Sequence, residues 1–151
     1  MYIGPITVDE SQIADVVSQI PVDACVLELG AGNGTYSVAL KRRVKNYLGV
    51  EPDGRLVRCI IANAENHRLQ LGVINAMISP VSNLCMVNRI LTEDLLFIDD
   101  TIRTAPLEEI FACATFEFNY IVVHESTFLD HFTKYYPEFV SKCTLLKTYT
   151  I

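Results

Sequence analysis

Short apolar runs alternate with segments of helical period through the first half of the chain. Ala24 to Leu29 (ACVLEL) reads as a buried strand, Thr35 to about Val44 as the helix after it, and Asn46 to Val50 as a second strand. Pro52 and Asp53 suit the start of another helix, whose apolar positions Leu56, Val57, Ile60 and Ile61 continue toward His67 and Leu69. Leu71 to Met77 follows as a third strand. Two successive strand-helix-strand units with right-handed crossovers make these strands parallel. Ahead of them, Thr7 to Glu10 has capping-box spacing, and Ile13, Val16, Val17 and Ile20 recur at helical intervals before Pro21. A short amphipathic helix therefore lies against the domain.

The pattern changes from Ser79. Ser79 to Asn83 (SPVSN) is turn-like, Leu84 to Leu91 reads as a strand, and Leu95 to Arg103 supplies one or two short extended pieces. Pro106 begins a brief helix to Phe111 with two glutamates near its positive end. Asn119 to His124 is another buried parallel strand. A helix over Thr127 to Tyr136 is stopped by Pro137, and Thr144 to Ile151 is a last strand.

The chain has 151 residues, half of them hydrophobic, which suffices for one sizeable core and predicts a single domain over 1–151. A net charge of -6 and a pI near 5.0 give no general attraction to nucleic acid or to an anionic membrane. The basic run Lys41 to Lys45 (KRRVK) falls late in a helix, where cations suit the negative end, so helix capping is preferred over RNA contact. The five cysteines are widely spaced, odd in number and set mostly in apolar runs. They read as reduced, buried thiols, which with the lack of a membrane-length apolar stretch predicts a soluble cytoplasmic protein. His67, His124 and His131 lack metal-ligand spacing, so no metal is expected.

The stretch that carries chemistry is Val26 to Gly34 (VLELGAGNG), a strand that ends in glycines and passes directly into a helix. Gly30 and Gly32 admit backbone angles denied to other residues, and Gly34 lets the helix sit close to strand and ligand. Glu51 ends the next strand, where a carboxylate can accept hydrogen bonds from two vicinal ribose hydroxyls. The turn lacks the Lys-Ser or Lys-Thr of a phosphate-gripping loop, and its spacing departs from the dinucleotide fingerprint. A tight turn of this kind suits an uncharged or zwitterionic group beside the ribose, a requirement that S-adenosylmethionine meets.

VLELGAGNG, together with Gly49 to Asp53 (GVEPD), resembles the first two cofactor motifs of class I S-adenosylmethionine-dependent methyltransferases. Within that superfamily the chain looks most like the FkbM type, whose members mostly methylate hydroxyl oxygens of small molecules or sugars. The resemblance implies a Rossmann-like methyltransferase fold, α/β, with a predominantly parallel sheet and flanking helices. It further implies that Glu28 and the turn of Gly30, Ala31, Gly32, Asn33 and Gly34 surround the methionine portion of the cofactor, that Glu51 holds the ribose, and that Pro52 and the Asn75, Ala76 and Met77 end of the third strand form part of the adenine site.

Where the family carries a fourth strand ending in KIDVEG, this chain has Val122, His124, Ser126 and Thr127 in place of the lysine, aspartate, glutamate and glycine. His124 and Glu125 are the candidate catalytic pair, an imidazole that deprotonates a hydroxyl nucleophile and a carboxylate that orients it. Strand alternation argues against both facing one cleft. The family fold has seven strands, whereas this chain lacks the last ones unless Leu84 to Arg103 replaces them. The final strand then exposes an edge, which a second copy or a protein partner would cover. Phe128, Phe132, Tyr135, Tyr136 and Phe139 fall at helical spacing and read as core or interface in preference to an acceptor pocket. The sequence thus supports a methyltransferase acting on a hydroxyl oxygen, with a noncatalytic cofactor-binding, regulatory or structural oligomer as the alternative.

Overall fold

The structure is a computed structural model that describes residues 10–78, 84–91, 96–112, 114, 116–124 and 126–148. Its elements in chain order are α1 (Glu10–Ser18), β1 (Cys25–Leu29), α2 (Thr35–Arg43), β2 (Asn46–Glu51), α3 (Gly54–Asn66), β3 (Gly72–Ile78), β4 (Leu84–Leu91), β5 (Leu96–Pro106), α4 (Leu107–Phe111), β6 (Tyr120–Val123), α5 (Ser126–Tyr135), α6 (Pro137–Ser141) and β7 (Thr144–Lys147). The seven strands form one sheet in the order β5-β4-β3-β2-β1-β6-β7. Five of them, β3, β2, β1, β6 and β7, run parallel.

Both faces of the parallel strands are covered, which is why their sequences read as continuous apolar runs. Alternation along each strand sends Val26, Tyr47, Val73 and Val122 to one face, where they meet Ile13 and Val17 of α1, Ile20 just after it, Leu40 of α2, and Val57 and Ile60 of α3. Leu27, Leu29, Leu48, Val50, Ile74 and Ile121 go to the other, against Leu107 and Ile110 of α4 and Phe132 of α5. Phe132 is fully buried among Phe111, Tyr136 and Phe139, their ring centroids 5.3 to 5.8 Å from it. These aromatics are core, while the side chain of Phe128 lies outside the described residues.

Two expectations change in the second half. Leu96–Pro106 is a single long strand, paired antiparallel with β4, which is itself antiparallel to β3. Register shifts at Asn75/Ala76 and Val87/Arg89 break the alternation, which is why the sequence shows only fragments there. This pair brings the sheet to seven strands, but it joins beyond β3. The last strand, β7, remains the opposite edge. Pro137 does end α5, yet it also opens α6 as that helix's first residue, a position that needs no amide hydrogen. The capping box at Thr7, the turn Ser79 to Asn83, and Tyr149 to Ile151 lie outside the described residues.

Arg43, in the basic run, is a structural cap. Its guanidinium donates to the carbonyls of Ile20 at 2.9 Å and Ser18 at 3.4 Å, closing the end of α1 against α2. Among the described residues no helix is long and apolar enough to cross a membrane.

Gly34 sits where α2 packs on α3. Its φ is +91°, and a Cβ there would meet Ile60 Cα at 3.0 Å, a backbone atom that cannot swing aside. Gly34→Ala is therefore expected to lower the unfolding free energy by about 1–3 kcal/mol in urea titration, through strain and overpacking together. A second expectation concerns alkaline pH. Burial pushes the Cys85 thiol from an ordinary 9.0 up to about 12. The folded state keeps that proton after the unfolded state has lost it, so this contribution is whole below pH 9 and is lost as pH rises toward 12. Urea midpoints measured from pH 8 to 11 should fall less steeply for Cys85→Ala than for the unaltered protein.

Candidate functional site

Parallel pairing brings the carboxyl ends of β1, β2 and β6 into one row beside the middle of β3. Leu29 lies opposite Val50 on one side and Val123 on the other, and Glu51 lies opposite Asn75. The residues immediately after these positions therefore share one end of the sheet, where ligands of open α/β sheets bind.

The turn after β1 is built as the glycine spacing requires. Gly30, Gly32 and Gly34 have φ of +76°, +63° and +91°. The amides of Gly30 and Ala31 both donate to the Val50 carbonyl, at 2.9 and 3.1 Å, which bends the chain sharply over the end of β2. Asn33 then accepts from the amide and hydroxyl of Thr35, at 3.2 and 2.7 Å, and so starts α2. From α3, the buried Asn63 donates to the Asn33 carbonyl at 2.8 Å. The turn is thus held from three elements.

Glu51 faces this turn. One carboxylate oxygen accepts the Gly32 amide at 2.8 Å, and the other accepts the Asp53 amide at the same distance. Apart from Gly32 and its two chain neighbours, no heavy atom among the described residues lies within 4 Å of where a Gly32 Cβ would stand, so the space in front of that glycine is open to them. Asp53 caps α3 by accepting from the Arg55 amide at 2.9 Å, and its pairing with the Arg55 side chain holds its carboxyl below the usual range. Asn75 donates to the carbonyls of Glu51 and Pro52, both at 3.0 Å, and accepts from Asn88 of β4 at 3.1 Å. That bridge fixes the backbone on which the Glu51 carboxylate is mounted.

The remaining candidates are placed differently. Glu28 is fully buried behind the turn, on the α1–α3 face of the sheet. It accepts from Ser37 at 2.6 Å and from the Tyr47 hydroxyl, and its second oxygen meets His124 Nε2 at 2.6 Å. Burial, then the nearby Glu28 charge, raises the Tyr47 phenol well above its ordinary value. Tyr36, whose ring centroid is 4.6 Å from that of His124, is raised for the same two reasons in the same order. The other ring nitrogen of His124, Nδ1, meets the Thr148 hydroxyl. The carboxylate on His124 is therefore Glu28, and Glu125 lies outside the described residues.

The side chains of Ala31 and Ala76 are buried in opposite cores, 5% and 2% exposed. Among the described residues no group of three or more His, Cys, Asp or Glu is arranged to hold a metal.

Sequence reasoning passed over Asn63, Asn88, Ser37, Tyr47 and Thr148. Two signals were present. Asn63 occupies the apolar stripe of α3, three residues beyond Ile60, where an amide needs a buried partner. Gly49 interrupts a buried strand because a Cβ there would collide with the Tyr47 hydroxyl. Asn88 and Thr148 carry no comparable mark.

Neither a protein-family model nor a curated protein matches the sequence. Solved structures do match. An S-adenosylmethionine-dependent methyltransferase from Clostridium acetobutylicum aligns over 91% of this chain and 48% of its own, with 13% identity and a TM-score of 0.55. Precorrin 8w decarboxylase from Methanobacterium thermoautotrophicum aligns over 99% of this chain and 67% of its own, with 12% identity and a TM-score of 0.57. This chain thus spans about half the length of the first and two thirds of the second. At such identities the likeness is one of fold, and the fold is the Rossmann-like methyltransferase fold.

Proposed function

We propose that this chain is a class I methyltransferase of the FkbM type that uses S-adenosylmethionine and transfers its methyl group to a hydroxyl oxygen. The observation that carries the reading is the open glycine turn after β1 faced by the Glu51 carboxylate from the end of β2. The motif residues from Val26 to Gly34 and from Gly49 to Asp53, on a sheet of this topology, support the same reading.

The residues present fit the cofactor. A carboxylate oxygen accepts more than one hydrogen bond, so Glu51 can hold its two amides and still receive vicinal ribose hydroxyls. The space before Gly32 leaves room for the group attached to that ribose. Pro52, half-buried, and Asn75, anchored to the Glu51 and Pro52 carbonyls, border the place the adenine would take. When bound, the cofactor supplies a methyl group already activated by a sulfonium. The protein's task is then to bind, to exclude water and to align an acceptor oxygen, and alignment supplies much of the rate. No step here needs His124 as a base, which accords with the engagement of both its ring nitrogens by Glu28 and Thr148.

Calorimetry with S-adenosylmethionine and S-adenosylhomocysteine tests the cofactor. Glu51→Ala is expected to weaken binding about tenfold or more, because hydrogen bonds to a charged group contribute about 1.5–3 kcal/mol. Gly32→Ala should weaken it as well, by putting a methyl group into the open space. Absence of binding to the folded, unaltered chain would sink the proposal. Given binding, label from methyl-labelled cofactor should appear on a hydroxylated acceptor. Tight binding with no transfer to any acceptor class, together with a co-purifying protein partner, would instead establish the noncatalytic alternative.

A further inference from the structure

Behind the turn, side chains from five separate parts of the chain form one cluster around a buried carboxylate. Glu28 comes from β1, Ser37 from α2, Tyr47 from β2, His124 from the residue after β6 and Thr148 from the residue after β7. Sheet register explains the meeting. Glu28 lies opposite Gly49 on one side and Val122 on the other, and His124 is two residues past Val122, so it faces the same way. Val122 is in turn opposite Leu146 of β7, and Thr148 is two residues past that. Gly49 leaves the space through which the Tyr47 phenol reaches Glu28.

A carboxylate removed from water is costly unless its oxygens are satisfied, so this cluster is held together as a unit. One Glu28 oxygen takes two hydroxyls and the other takes the imidazole. Thr148 completes the chain, since its amide also donates to the Val123 carbonyl at 2.9 Å. The line Glu28–His124–Thr148 therefore runs from two residues before Gly30 across β6 to the end of the last strand.

We infer that Glu28, His124 and Thr148 are positioning residues of the cofactor turn: their hydrogen-bonded line fixes the end of β1, and with it Gly30 to Gly34, against β6 and β7. The role of the turn rests on the cofactor reading above; the mechanical coupling does not. A residue at the far end of the chain thereby governs a loop that it does not touch. Ser37, on the helix that the turn leads into, ties the other end of the loop to the same carboxylate.

The test pairs near-isosteric variants with two readouts. Thr148→Val and Tyr47→Phe each remove a hydroxyl and keep volume, and Leu129→Ala, on the opposite face, is the control for general destabilisation. Amide hydrogen exchange of residues 30–34 should speed up in Thr148→Val and Tyr47→Phe and stay at the wild-type rate in Leu129→Ala. S-adenosylhomocysteine affinity should fall about tenfold in the first two, the size expected for one hydrogen bond in a charged cluster, and hold in the third. His124→Gln, which keeps a donor toward Glu28, should retain more affinity and protection than His124→Ala. Turn amides that exchange at the wild-type rate in Thr148→Val would overturn the inference. If the unaltered protein binds no cofactor, the functional reading falls, and the exchange rates alone still decide the coupling.

Discussion

Everything at the candidate site depends on β1 being paired in parallel on both sides. With β2 on one flank and β6 on the other, the ends of three strands stop at the same level, and whatever follows each strand is delivered to one place. A strand so enclosed has no edge to expose and both faces to bury, which accounts for the apolar run from Val26 to Leu29. It also accounts for the cost of the one exception. Glu28 stands in that run with no exposed surface, and its hydrogen bonds are what make the placement tolerable.

Two carboxylates thus share the end of the sheet with different roles. Glu51, only 5% exposed, faces the glycine turn, and its oxygens are oriented by the backbone amides of Gly32 and Asp53. Glu28 looks inward and holds protein to protein. The contrast follows from the pleat: Glu28 falls within β1, on a face roofed by α1, α2 and α3, whereas Glu51 is the last residue of β2, where the roof ends and the loop toward α3 begins.

The opposite core has a different character. Around β6 and β7 it is filled by rings from α4, α5, α6 and the segment before β6, packed edge to face and stacked. Large apolar groups need no polar partners there, and that side of the sheet serves as support for the row of strand ends. The antiparallel pair β4 and β5 extends the same support beyond β3 and contributes Asn88, which through Asn75 steadies the backbone under Glu51.

The first half of this structure was legible in the order of residues alone. Local signals there agree with the global fold: apolar runs for β1 to β3, the stripe of α3, and glycines whose positive φ a turn demands. The residue order also marked Glu51, because position at a strand end is a local property. What it left open was set by register and long-range pairing. The order of strands put β4 and β5 beyond β3 instead of beside β7, and bulges hid the length of β5. That Glu28 and His124 meet each other follows from folding alone, since residues 96 positions apart in sequence become partners through the pairing of β1 with β6. Periodicity tells which face a side chain takes; which other side chain waits on that face depends on neighbours that the chain supplies from elsewhere.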